Sequence, residues 1–141
     1  MKILANDGIS NAGIEALEAA GFSVETTNVA QEQLIAYIND NDITVLLVRS
    51  ATTARQELID ACPNLKIIGR GGVGMDNIDV DYARGKGLHV INTPAASSAS
   101  VAELVFAHLY GGVRFLHDAN RNMPLEGESN FKGLKKAYAK A

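Results

Sequence analysis

Six residues constrain this chain more than any others: Ile43-Thr44-Val45-Leu46-Leu47-Val48, apolar except for Thr44. A strand with one wet face alternates apolar and polar residues. A run without alternation is buried on both faces, as in the centre of a parallel sheet. Such a strand needs parallel neighbours and helices on either side, and the rest of the chain supplies candidates. Short apolar runs lie at 2–5, 22–26, 65–68 and 88–91, separated by segments with helical spacing. Strands alternating with helices predict a parallel sheet joined by right-handed crossovers. The expected fold class is α/β, flavodoxin-like, with five parallel strands in the order 2-1-3-4-5, flanking helices and a long C-terminal helix. The alternation of Phe22 and Val24 with polar neighbours puts the second strand at an edge.

The punctuation agrees with this plan. Asn6-Asp7-Gly8 reads as a turn. Ser10 is placed to cap a helix whose stripe is Ala12, Ile14, Leu17 and Ala20, closed by Gly21. Residues 30–38 form a second helix with Leu34, Ile35 and Ile38 inward. Residues 57–61 form a third, stopped by Pro63, and Asp79 or Asp81 caps a short fourth ending at Arg84. Beyond Thr93-Pro94-Ala95 the rhythm changes to a long helix, with Ser100 and Glu103 at capping-box spacing and Val101, Leu104, Val105, His108 and Leu109 as its apolar side. Gly111-Gly112 inside it would cost about 2 kcal/mol relative to alanine, and so mark either close packing or a break. Residues 127–133 read as a loop and 134–140 as one or two further helical turns. Residues 1–96 are expected to form one domain, and 97–141 a linking helix and tail.

Composition excludes several classes. The 141 residues are 47% hydrophobic and 21% charged, as in a folded globular chain, and the net charge is −3. Six basic and three acidic side chains fall in residues 114–141, which reads as a solvated helix rather than a nucleic-acid footprint. The single cysteine, Cys62, has no partner for an internal disulfide and no base nearby in sequence, so it reads as packing. The chain starts directly in a strand without a signal-peptide pattern, and no apolar run approaches the ~20 residues needed to cross a bilayer. A cytoplasmic protein is expected, with no membrane partner.

The chemistry concentrates at residues 66–81, where Gly69, Gly71, Gly72 and Gly74 follow an apolar run and precede Asp76, Asn77, Asp79 and Asp81. Free N–H groups in such a loop make an anion-binding concavity, and in an open α/β sheet ligands bind at strand C-termini. Gly69-Arg70-Gly71-Gly72-Val73-Gly74 also fits the dinucleotide fingerprint G-x-G-x-x-G. Three strands precede it, however, the helix after it is short, and the next strand ends at Asn92 without the acid that holds a ribose. Asp76, Asn77 and Asp79 lack the regularly spaced oxygens of a metal loop, so no metal site is expected. They read instead as capping the next helix and holding the glycine loop, with Arg70 as a pairing partner. His89, His108 and His117 are not spaced as ligands or as a catalytic pair. Arg49 ends a buried strand, where either an anionic ligand or a nearby acid would pair with it.

The motifs Val48-Arg49-Ser50-Ala51-Thr52, Arg70-Gly71-Gly72-Val73-Gly74-Met75-Asp76-Asn77-Ile78-Asp79, Gly85-Lys86-Gly87-Leu88, Asn92-Thr93-Pro94 and Val101-Ala102-Glu103 occur in this order. Together they resemble the NAD-dependent D-2-hydroxy-acid dehydrogenases, and most closely the D-3-phosphoglycerate dehydrogenases. The resemblance implies that the Gly72, Val73 and Gly74 main chain holds a substrate carboxylate. It also implies that Arg49 and Ser50 face a phosphate or carboxylate, and that Val73 lies beside the nicotinamide. Lys135 and Lys136 match a region that can approach a partner's active site, although a solvated helix face is the simpler reading of them.

In that family a Rossmann domain carries the true fingerprint and the catalytic arginine, glutamate and histidine. The chain is therefore expected to hold the substrate-binding part, with no catalytic residue of its own. NAD belongs to the full-length family and is not expected to bind this chain tightly. A small hydroxy acid, most simply 3-phosphoglycerate, is the expected ligand. A homodimer through residues 98–120 would occupy the long helix. The competing reading is a self-sufficient flavodoxin-like folding or assembly module, in which that helix folds back or exchanges with a second copy. A receiver or flavin-binding module is disfavoured, because the third strand ends in Arg49 rather than a phosphorylatable acid and no flavin-stacking aromatic is evident.

Overall fold

The computed structural model describes residues 1–122 and 131–140. Its elements are β1 (Lys2–Ala5), α1 (Asn11–Ala19), β2 (Ser23–Glu25), α2 (Gln31–Asp40), β3 (Val45–Val48), α3 (Gln56–Ala61), β4 (Ile67–Arg70), α4 (Val80–Gly85), β5 (His89–Asn92), α5 (Ser98–Val113), α6 (Leu116–Asn122) and α7 (Phe131–Lys140). The five strands form one sheet in the order β2-β1-β3-β4-β5, and every pairing is parallel. The α/β class and the strand order are those expected from the apolar runs, and β2 lies at an edge. Contacts within the chain divide it into two units, Met1–Ala96 and Ser97–Ala141.

In the first unit the two faces of the sheet differ. Register aligns Leu4, Leu46, Ile68 and Val90 in one row across four strands. The first three of these are fully buried. They share a core with Leu34 and Ile38 of α2, Leu58 and Ile59 of α3, and Ala83 of α4. The opposite row, Ala5, Leu47, Gly69 and Ile91, is less closed: Ala5 and Gly69 are buried, Leu47 is half-buried, and Ile91 is 57% exposed.

Most capping features behave as the sequence suggests. Ser10 Oγ accepts the Gly13 N–H at 3.2 Å, and Gly21 takes φ +86° just past α1. Three expectations need correction. The fourth strand was expected at 65–68 but runs two residues further, because Gly69 and Arg70 still pair with Leu47 and Val48. Glycine is a poor strand former, yet here it is needed. A Cβ on Gly69 would lie 2.7 Å from Leu47 Cδ2, where the flanking side chains close over the strand. Asp79 stands at the N-cap position of α4 without capping it; its carboxylate accepts the Gln56 N–H at 3.0 Å and Arg55 at 2.9 Å, and so caps α3 instead. Ser100 lies inside α5, whose N-cap is Ser97, so no Ser100–Glu103 capping box forms.

In the second unit, Gly111 and Gly112 occupy the last turn of α5. Neither has an atom within 4 Å of where a Cβ would sit, and the chain turns at Phe115 with φ +52° before α6. The helix thus continues through both glycines to Val113, and the break falls just beyond the pair. Of the loop expected at 127–133, residues 127–130 lie outside the described residues, and Phe131 to Gly133 open α7. No helix among the described residues is long and apolar enough to cross a membrane, and no cluster of His, Cys, Asp or Glu there could hold a metal.

Cys62 sits in the core at the end of α3, and burial pushes its thiol up to about 11. The thiolate is the reactive form. The native chain is therefore expected to resist a thiol-labelling disulfide reagent at pH 8 and to react rapidly in denaturant. Fast labelling without denaturant would show that the α3 end opens locally.

Candidate functional site

The sheet order reverses between β1 and β3, and the chain ends of β1, β3, β4 and β5 surround a cleft of about 680 Å³ there. Its walls are residues 7–10, 47–49, 69–71 and 91–93. This is the switch-point position at which open α/β sheets bind ligands. Arg49 lines the cleft, with its Cγ 3.5 Å from where a Cβ on Gly71 would sit, so the side-chain stem runs over the glycine loop. The Arg49 guanidinium has no hydrogen-bond or ion-pair partner among the described residues. A nearby acid does not pair with it. Ser50 is exposed beside it and lies outside the cleft lining.

The glycine loop is pinned at several points. The Gly71 N–H donates to the Val48 carbonyl at 2.9 Å, and the Gly72 N–H closes a turn on the Arg70 carbonyl at 3.0 Å. The Gly72 carbonyl accepts the Thr93 N–H at 3.1 Å, and the Val73 carbonyl accepts Asn92 Nδ2 at 2.7 Å. Arg70 reaches across the loop to the Gly74 carbonyl, and lies 3.6 Å from Asp76, a partner that is largely in water. These bonds use the Gly72 backbone in both directions. The N–H groups of Val73 and Gly74 have no acceptor among the described residues. Two adjacent free donors on a pinned loop suit an anion, since they supply positive dipole without side-chain charge. Of the three loop residues singled out in the sequence, Val73 and Gly74 thus offer donors, while Gly72 contributes the turn. The Val73 side chain is 52% exposed.

Behind this surface lies a polar network of which the sequence showed only Asn77, read there as holding the glycine loop. The Arg49 carbonyl accepts both Arg70 Nε at 3.2 Å and Asn77 Nδ2 at 2.9 Å, and Asn77 Nδ2 also donates to the Thr52 carbonyl at 2.7 Å. Asn77 is buried, so it ties the strand-end loop at 49–52 to the end of the glycine loop. Asp7, read in sequence only as part of a turn, accepts the Arg49 N–H at 2.6 Å, the Thr52 N–H at 3.1 Å and the Thr52 hydroxyl at 2.5 Å. Burial works to raise its pKa, but the Thr52 hydroxyl and the Arg49, Thr52 and Ala51 N–H groups together outweigh it. The carboxyl is held below its ordinary value.

Asp7 shares that direction with two surface carboxylates. Glu25 is lowered chiefly by its bond to Lys2, and Asp60 chiefly by Lys86. All three bind a proton less readily folded than unfolded. Their contribution is therefore complete above the unfolded values, near 3.8 and 4.5, and is lost as pH falls through the folded ones. The thermal midpoint is expected to hold between pH 6 and 5 and to drop steadily below pH 4. A flat profile down to pH 3 would contradict these assignments.

Comparison with known proteins places the arrangement in a family. The D-isomer specific 2-hydroxyacid dehydrogenase catalytic-domain model matches residues 3–136. The chain belongs to the D-isomer specific 2-hydroxyacid dehydrogenase family. It is 40% identical over 137 residues to a D-3-phosphoglycerate dehydrogenase of Methanocaldococcus jannaschii, covering 95% of this chain and 26% of that protein. It is 42% identical over 112 residues to a hydroxypyruvate reductase of Thermotoga maritima, covering 79% of this chain and 36% of the relative. Among solved structures, an NADPH-dependent glyoxylate/hydroxypyruvate reductase of Sinorhizobium meliloti in complex with citrate superposes with a TM-score of 0.62 at 26% identity, covering 85% of this chain and 37% of that one. The chain thus spans about a quarter to a third of the length of the curated relatives it matches.

Proposed function

We propose that this chain is the substrate-binding part of an NAD-dependent oxidoreductase that acts on a D-2-hydroxy acid, with 3-phosphoglycerate as the preferred ligand. The observation that carries the reading is the pair of N–H groups at Val73 and Gly74 without an acceptor among the described residues, on the loop that follows β4, next to β3, whose end carries an Arg49 guanidinium without a partner among the described residues; Gly72, Val73 and Gly74 themselves lie outside the cleft lining. A 2-hydroxy acid presents a carboxylate to the two N–H groups. A second anionic group, such as a phosphate, suits the arginine fork. Ser50 adds a hydroxyl at the rim. The similarity to D-3-phosphoglycerate dehydrogenases favours the phosphorylated acid.

The nicotinamide cofactor supplies the hydride in such a reaction, and the protein supplies orientation and electrostatics. Here Val73 would offer its exposed side chain to the cofactor's ring. No described residue has a proton donor's setting in the cleft, so turnover requires groups outside this site. The pure chain is expected not to oxidise NADH with hydroxypyruvate phosphate, and measurable consumption would refute that part.

The second unit supports a pairing role. Val101, Leu104, Val105, Phe106, Leu109, Tyr110 and Val113 of α5 are each more than half exposed. A helix that exposes this many large apolar side chains is ordinarily a buried element of an assembly. Residues 98–120 would pair with a second copy of the chain, and a strictly monomeric sedimentation profile would argue against it.

The central test is a backbone-amide NMR titration with 3-phospho-D-glycerate. Saturable shifts at Val73, Gly74 and Arg49 are expected. No shift at millimolar ligand in a well-dispersed spectrum would leave a folded scaffold without a preformed site, which is the reading of the chain as a self-sufficient module.

A further inference from the structure

The geometry points to Asp7 as a positioning residue for Arg49: its carboxylate fixes the backbone of the loop at 49–52 and so aims the guanidinium into the cleft. The inference rests on the anion-site reading above. Asp7 follows β1 and Arg49 follows β3, so the contact bridges the two strands between which the sheet order reverses. One Asp7 carboxylate oxygen takes the N–H groups of Arg49 and Thr52, and the other takes the Thr52 hydroxyl. That hydroxyl in turn accepts Asn6 Nδ2 at 2.8 Å, and the same Asn6 amide brackets Val29 with bonds of 3.1 and 2.8 Å. Asn6, Val29 and Thr52 are all buried, so the anchor reaches into the core.

Three converging donors call for a group that only accepts. An ionised carboxylate does so, whereas an amide that gave its oxygen to the two N–H groups would turn its NH2 toward the Thr52 hydroxyl, which already accepts Asn6 Nδ2 and would lose the acceptor for its own proton. On its other side the Arg49 carbonyl is held by Arg70 and Asn77. Both backbone groups of Arg49 are therefore clamped by side chains from distant parts of the sequence, while its guanidinium has no hydrogen-bond or ion-pair partner among the described residues. Clamping the backbone leaves only side-chain rotations to be lost when an anion binds, which reduces the ordering cost.

The presence of an acid here also needs a reason. Asp7 itself lines the cleft, and its negative charge acts against any anion there. A role through space would be unfavourable, so the benefit of Asp7 must lie in local order.

The test is the amide titration with 3-phospho-D-glycerate, and with sulfate as a simpler anion, on the unsubstituted chain and four variants. Asp7→Asn is expected to weaken binding about tenfold, the scale of one charge-assisted hydrogen bond, with spectral changes confined to the neighbourhood of residues 49–53. Asp7→Glu keeps the charge but shifts the oxygens, and is expected to lose affinity as well. In an Arg49→Ala background, Asp7→Asn is expected to have no further effect, since the two act as one unit. The thermal midpoint falls under either reading, because the Asp7 bonds also stabilise the fold; a merely structural role would instead add to the Arg49→Ala loss. Unchanged affinity in both Asp7 variants, or additive losses in the double variant, overturns the inference while leaving the anion site standing. Absence of binding by the unsubstituted chain overturns the anion-site reading, and this inference with it.

Discussion

Leu46→Ala is expected to destabilise the first unit by about 3 kcal/mol, within the usual range for a fully buried leucine. Leu46 sits in the middle strand, with Leu4 and Ile68 in register on either side, and all three are sealed from solvent beneath α2, α3 and α4. Part of the loss is transfer of the side chain; the rest is the cavity that a parallel sheet, tied on both edges by hydrogen bonds, cannot collapse to fill. For a chain of this size the thermal midpoint should fall by roughly 10 °C. Ile91→Ala is the control. Ile91 lies on the next strand but one, on the opposite face, where it is mostly exposed, and its replacement should cost no more than about 0.5 kcal/mol. Circular dichroism melts of the two variants would decide. Equal losses would mean that the second face is as buried as the first.

Arg49→Ala carries the largest expected effect on binding. Hydrogen bonds to charged groups contribute about 1.5–3 kcal/mol, so the variant should bind 3-phospho-D-glycerate about 10- to 100-fold more weakly in the amide titration. Its stability should be nearly unchanged, because Arg49 is exposed and its guanidinium has no partner among the described residues. Arg49→Lys would recover only part of the affinity, since a point charge cannot reproduce a planar fork. Undiminished binding by Arg49→Ala would move the anion to the Val73–Gly74 donors alone.

The sheet was legible because its information is local. Val45, Leu46 and Val48 announce a central strand by not alternating, and Ser10 and Gly21 mark helix ends through their own chemistry. Boundaries failed where tertiary packing overrode propensity. Gly69 reads as a strand breaker until Leu47 and Ile91 are seen to require the space. Asp79 reads as the cap of the helix that follows it, and instead caps one 23 residues earlier. At the site, the glycines and Arg49 are visible as motifs. Asn77 and Thr52 stand inside those motifs, and Asn77 was legible as a holder of the glycine loop; their partners and the role of Asp7 were not, because these bonds join residues 25 to 45 positions apart, and no periodicity encodes such a pairing.

The one-sided form of the site has a kinetic consequence. Arg49, Val73 and Gly74 are all exposed, so water competes for every donor and a bound anion keeps much of its hydration. For a dissociation constant near 1 mM, and association near the diffusional ceiling of about 10⁸ M⁻¹s⁻¹, release occurs at about 10⁵ s⁻¹. A ligand then stays for about 10 μs, whereas a typical enzymatic turnover takes about 100 ms. In the proposed oxidoreductase such a surface would sort anions by shape and charge many thousands of times before one reacted, and commitment to reaction would come from whatever shut the ligand in.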